Sequence, residues 1–183
     1  PGLTVPLWLT PLPSPILGRV GDINGRIELE PMLRAAHTHP EWTFLLMGRD
    51  PPPVRSRLRR YPNIVLAGPV NPVELPDYLF ACDVLFDLFH ADTKGSDIIP
   101  PRMYEYLASG KPIVTMIDPD QVEPFPDVVY TAYDSAGFVR RCRRALEEES
   151  SLAAPRRQNY ARNASWASRA KDALEILDRA GLF

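Results

Sequence analysis

The chain lacks most of the features that announce a membrane protein, a disulfide scaffold or a metal enzyme. No apolar run approaches the ~20 residues needed to span a bilayer. Two cysteines occur among 183 residues, Cys82 and Cys142. Each lies beside apolar neighbours, so both read as small hydrophobes in a reducing compartment, and a cytoplasmic location is expected. Histidine is scarce: of three residues, His37 and His39 are two apart, a spacing that does not share a helix face and offers no ligand pair. Net charge is −2, which excludes a global field drawing the chain to nucleic acid or an anionic membrane. The basic cluster Arg140, Arg141, Arg143 and Arg144 reads as the solvated face of an amphipathic helix.

Proline, by contrast, is abundant, with 21 residues. Pro40, Pro62, Pro72, Pro112 and Pro155 fall at expected element edges, where a missing N–H and a fixed φ punctuate a fold without breaking it. Pro1, Pro6, Pro11, Pro13 and Pro15 crowd residues 1–15, which read as an extended linker from a preceding domain. Residues 16–183 then form one domain with a sizeable core.

Strand and helix patterns alternate through that domain. Strands are expected at residues 16–20, 42–47, 64–67, 83–89, 113–116 and 128–130. Helices are expected at 26–37, 54–60, 74–82 and 101–109, then at 135–148 with Ser135 as its cap, and as one long helix over 155–180. Near-continuous apolar strands separated by helices imply an α/β domain with a doubly wound, Rossmann-like parallel sheet of about six strands, flanked by helices on both faces.

In such a sheet the loops after the strands' C-terminal ends form the ligand crevice. Glycine and polar residues gather there: Gly18 to Gly25 after the first strand, Gly48-Arg49-Asp50 after the second and Gly68-Pro69-Val70-Asn71 after the third. His90 to Ile99 follows the fourth strand, with Lys94 and Arg102 bracketing Asp97. Asp118 to Gln121 follows the fifth. The densest information lies in residues 97–116, DIIPPRMYEYLASGKPIVTM: a proline-marked loop, a helix carrying Glu105, and a small-residue stop before a buried strand. An ionised carboxylate only accepts hydrogen bonds, so it suits the paired hydroxyls of a ribose, while helix N-termini and cationic side chains suit phosphate.

These motifs resemble the donor-binding C-terminal domain of GT-B glycosyltransferases, of the large retaining group called family 4 or group 1. The resemblance begins near Leu12 and runs through the rest of the chain. Gly18-Arg19-Val20-Gly21 fits the Gly-Arg loop, which implies a diphosphate contact for Arg19 and Gly21. The family carries a Lys where this chain has Asn24, and Arg26 is the candidate replacement. Gly68-Pro69-Val70 with Glu74-Leu75 fits the segment that reads the nucleobase, which assigns Gly68 and Val70 to the donor site. Glu105 fits the second acid of the Glu-x7-Glu pair, the ribose ligand, and counting back places Asp97 at the first. The usual Gly-Phe-Gly is here Ile98-Ile99-Pro100, and a branch with Asn-Pro-x-Lys-x-Tyr-Glu-Tyr matches Arg102 to its Lys. His90, at the tip of the fourth strand, reads equally as a sugar or phosphate contact at the crevice or as strand-end packing, and Ser165-Trp166 with Arg169 resembles a stretch of the family's last helix where the Trp packs in a core or between domains.

The resemblance implies transfer of a sugar from a nucleoside diphosphate sugar to an acceptor in bacterial glycan or polysaccharide assembly. It implies no cofactor and no metal, no nucleic-acid partner, and an N-terminal acceptor-binding domain beyond this sequence, through which any peripheral membrane contact would come. No residue here stands out as a general base. Two readings compete. One is a non-catalytic nucleotide-binding or regulatory module, kept open by Asp97 and Asn24. The other is a dinucleotide-binding dehydrogenase domain, disfavoured because no Gly-x-Gly-x-x-Gly turn follows the first strand.

Overall fold

The computed structural model describes residues 2–24, 27–88, 99–116, 122–125, 127–147 and 152–182. Its frame is a six-stranded, wholly parallel sheet of β1 (Ile16–Val20), β2 (Thr43–Met47), β3 (Ile64–Gly68), β4 (Val84–Asp87), β5 (Ile113–Thr115) and β6 (Tyr130–Thr131). The order β3-β2-β1-β4-β5-β6 makes the chain wind outward first to one side of β1 and then, from β4, to the other. The doubly wound sheet expected from the sequence is what forms.

Strand alternation explains both faces. Leu17, Phe44, Leu46, Val84, Phe86 and Val114 pack on one side of the sheet, against Met32 and Leu33 of α1 (Glu30–Thr38), Leu58 of α2 (Pro52–Leu58), and Phe138 and Cys142 of α5 (Ser135–Leu146). Ile16, Leu45, Met47, Leu85 and Ile113 pack on the other side. There they meet Leu79 of α3 (Leu75–Ala81), and Met103, Tyr106 and Leu107 of α4 (Pro101–Ser109). Each of these fully buried side chains contributes about 1.5–3 kcal/mol of apolar transfer. Edge-on aromatic pairs link Phe44 to Phe86 at 6.0 Å and Phe86 to Phe138 at 5.7 Å, adding directional packing to that face.

Element ends differ from expectation for local reasons. The first helix was expected from Arg26 and begins at Glu30, with Pro31 in its first turn, where a missing N–H costs nothing. In α5 the cap is Asp134 rather than Ser135: its carboxylate accepts the Gly137 N–H at 2.6 Å. The single C-terminal helix is two, α6 (Ala153–Asn163) and α7 (Trp166–Arg179), because Ser165 turns extended and caps α7 through the Ser168 N–H. Leu7–Leu9 forms one helical turn, Leu9 is buried, and Trp8 Nε1 donates to the Tyr78 hydroxyl of α3 at 3.2 Å. Both cysteines are buried and free, and burial raises the Cys82 thiol to about 12.

Gly18 is a packing glycine of β1. A Cβ built there would overlap the Cys82 sulfur at the end of α3. Gly18→Ala should therefore destabilise the chain by about 1–3 kcal/mol, read as a lower urea midpoint at unchanged slope.

Candidate functional site at the β1–β4 switch point

Sheet order reverses between β1 and β4, the place where an open α/β sheet leaves a crevice at its C-terminal edge. The two strands pair only through Leu17–Val84 and Gly18–Leu85. Beyond that register the gap is bridged by a side chain. The Tyr106 hydroxyl accepts the Val20 N–H at 2.8 Å and donates to the Phe86 carbonyl at 3.3 Å. It is fully buried, and burial raises its pKa further above the ordinary phenol value. Helix α4 is thus fixed to both central strands at the point where they part.

Above Tyr106 lies a cluster of charge. Asp87, the last residue of β4, is completely buried and places one oxygen toward each of two arginines. Arg19 Nε stands 3.4 Å from Asp87 Oδ1, and Arg102 Nε donates to Asp87 Oδ2. The Leu88 N–H also donates to Oδ1, at 3.1 Å. Burial pushes the Asp87 carboxyl up, while Arg102 and then Arg19 pull it down. Arg19 is itself 2% exposed; its Nη1 donates to the Gly21 carbonyl at 2.7 Å, and its buried Nη2 has no hydrogen-bond partner among the described residues. Arg102 reaches over the β1 loop, its Nη1 3.1 Å from where a Cβ on Gly21 would stand. Among the described residues, two guanidiniums thus face one buried carboxylate at the crevice floor.

The loops beside this cluster are joined through their backbones. The Gly21 N–H donates to the Met47 carbonyl and the Gly48 N–H to the Gly68 carbonyl, both at 2.8 Å. Gly21, at φ +108°, and Gly48, at φ +156°, lie so close that a Cβ on Gly48 would overlap the Gly21 carbonyl. Asp22 adds an exposed tie: it accepts from the Arg49 backbone at 2.9 Å and from the Arg49 guanidinium at 2.8 and 2.6 Å, and these bonds lower its pKa.

Of the residues singled out from the sequence, Arg19, Gly21 and Arg102 converge here. Further along the same sheet edge, Gly68 ends β3 and Val70, half-buried, follows it. Ile99 precedes α4 and is half-buried. Glu105, one turn after Arg102, is exposed on the outer side of α4 and does not join the Asp87 cluster. It lines a groove of about 930 Å³ with Ile99, Tyr104, Pro124, Trp166 and Arg169, and a second groove with Leu75, Leu79 and Gln158. Crowding by these walls raises its carboxyl pKa, opposed by the charge of Arg102. Arg26, His90, Lys94, Asp97 and Ile98 lie outside the described residues. Trp166, expected in a core or between domains, is 88% exposed. Among the described residues no group of His, Cys, Asp and Glu could hold a metal ion, and no helix is long and apolar enough to cross a membrane.

Sequence reading missed Asp87 and the bridging role of Tyr106. A lone acid inside the apolar run Val84-Leu85-Phe86-Asp87-Leu88 was the available signal.

A family model described as glycosyl transferase-like matches residues 26–175. The chain belongs to that family. Its sheet is one half of a GT-B fold, as solved structures show. HepE of Anabaena, solved with UDP, superposes at a TM-score of 0.74 with 16% identity, over 90% of this chain and 49% of HepE. A sucrose-phosphate synthase from Thermosynechococcus elongatus superposes at 0.72 with 16% identity, over 98% of this chain and 50% of that one. In sequence, the glycosyl transferase-like domain is 27% identical over 158 residues to a candidate teichuronic acid biosynthesis glycosyltransferase, TuaH of Bacillus subtilis (strain 168). That match takes in 82% of this chain and 40% of TuaH. The domain thus spans about half the length of the proteins it matches.

The bridge at the switch point is testable through Tyr106→Phe, which leaves a half-buried Val20 N–H without its acceptor. Loss of about 1–3 kcal/mol in urea unfolding is expected. An unchanged midpoint would show that the hydroxyl holds nothing.

Proposed function

We propose that this domain binds the donor of a glycosyltransferase, a nucleoside diphosphate sugar, and serves its transfer to an acceptor in bacterial glycan assembly. The observation that carries the reading is the convergence of Arg19 and Arg102 on the Gly21 loop at the β1–β4 crevice. Family membership, and the UDP named in the HepE structure, support the choice of ligand. In transfer, the bond between the anomeric carbon and the diphosphate oxygen breaks, and the acceptor hydroxyl takes its place. Negative charge then grows on the leaving diphosphate. Fixed guanidiniums above a desolvated floor stabilise that charge without reorganising. Arg102 is the phosphate ligand at the rim. Arg19, behind it, stabilises the turn through the Gly21 carbonyl.

Glu105 is the ribose ligand in this reading. It stands one helical turn beyond Arg102, in reach of solvent, on the wall of a groove that starts at Ile99 and Pro101. Gly68 and Val70, at the end of β3, are the base-side contacts, and Arg26, His90, Lys94, Asp97 and Ile98 complete the donor set. Two buried free thiols fit a cytoplasmic setting.

The acceptor-binding half belongs to the longer protein. Helix α7 offers the face that fits it. None of its residues is buried, and Trp166, Ala170, Leu174 and Leu177 recur at helical spacing.

Thermal unfolding with UDP, GDP, ADP and NAD tests the donor reading. At a hundredfold excess over Kd, one of the nucleoside diphosphates should raise Tm by roughly 5–10 °C. Glu105→Ala should weaken that ligand by about ten- to a hundredfold. A response to NAD alone would reverse the assignment. For the missing half, Trp166 emission should shift to the blue in the longer polypeptide relative to this chain; an unshifted spectrum removes α7 from the interface.

A further inference from the structure

Asp87 presents a puzzle of economy. Its carboxylate is fully buried at the end of an otherwise apolar strand, and it meets not one guanidinium but two. A buried ion pair is a poor device for stability alone, because desolvation of the charges offsets their attraction, and an apolar side chain would fill the same space. What Asp87 achieves is directional. Its Oδ2 takes the Nε–H edge of Arg102, and its Oδ1 is already engaged by the Leu88 N–H and faced by Arg19 Nε. A guanidinium held at Nε is restricted in its rotation, and here its Nη1 lies against Gly21.

We infer that Asp87 is a positioning residue for donor binding, setting the plane of Arg102 so that its Nη edge meets the diphosphate. This rests on the donor reading above. Asp87 never touches the ligand; it acts through Arg102. Glycine at position 21 completes the arrangement: its φ of +108° disfavours a side chain, and a Cβ there would stand 3.1 Å from Nη1 and press on it. Arginine at position 102 serves both partners at separate atoms, Nε on Asp87 and the Nη groups toward phosphate, whereas the compact ammonium of a lysine would be shared between carboxylate and phosphate.

Titration calorimetry of the 183-residue chain with UDP and with uridine separates the diphosphate from the nucleoside. Asp87→Asn keeps the shape and should weaken UDP by about tenfold or more. Uridine should stay within about twofold of wild type. In an Arg102→Ala background the same substitution should have no further effect on UDP. Equal losses for UDP and uridine, or the same loss in both backgrounds, would assign Asp87 to general stability and overturn the inference. Should Asp87→Asn lose its near-UV signal through misfolding, Arg102→Lys decides. It should bind UDP more weakly than wild type while uridine is unchanged, and wild-type affinity for UDP would sink the idea. A wild-type chain silent to UDP, and to GDP and ADP alongside, sinks the donor reading and this inference with it. A wild-type chain that binds, with no effect of Asp87→Asn, sinks the inference alone.

Discussion

One carboxylate at the end of β4 sets the terms for the crevice. Asp87 is surrounded by protein, so its charge is expressed at low dielectric, and the two arginines that answer it are drawn to one spot at the junction of β1 and β4. Without it, Arg19 would be a buried cation facing carbonyls, and Arg102 a long side chain with many rotamers. Just beneath, the Tyr106 hydroxyl takes over the hydrogen bonding that the diverging strands can no longer offer each other. The neutral bridge positions the backbone and the ionic one positions the side chains. Both depend on α4, which contributes Arg102 and Tyr106 from adjacent turns.

That arrangement clarifies how a domain of this kind divides its labour. The sheet interior is apolar on both faces and supplies the stability. The polar machinery is confined to the C-terminal edge of the strands, where loops can vary without disturbing the core. Arg157 shows the contrast. It too is buried, but its Nε donates to the Val128 carbonyl at 2.9 Å and its Nη1 to the Gly110 carbonyl at 3.2 Å, so it ties α6 to the ends of two other elements far from the crevice. Two buried arginines in one domain thus have different tasks, and only the partner set tells them apart.

The parallel sheet was legible in the sequence because apolar runs and intervening helical spacing report burial directly. Pro101 and Gly110 marked both ends of α4, since a missing N–H and a left-handed φ have few other uses. The division of the last helix was not legible: Asn163-Ala164-Ser165 is compatible with a continuing helix, and only the backbone turn at Ser165 decides it. Arg19 was read as a crevice residue from its place in the Gly-Arg motif, yet position in a motif does not report depth, and the side chain turns inward to Asp87. Asp87 went unnoticed for the opposite reason. An acid in a hydrophobic strand has no periodic signature, and its partners are 68 and 15 residues away in sequence. Glu105 was found through its motif, while its outward placement on α4 depends on which face of the helix meets the sheet.

The contact between Gly21 and Gly48 carries a mechanical consequence. With the amide of one turn seated on the strand beside it, and the next turn seated likewise, three successive strand ends are tied backbone to backbone into one lip. A push on the first would be passed to the third, two strands across the sheet, with no side chain needed to relay it. Side chains along the rim of this lip can therefore be exchanged while its glycine spine stays as it is.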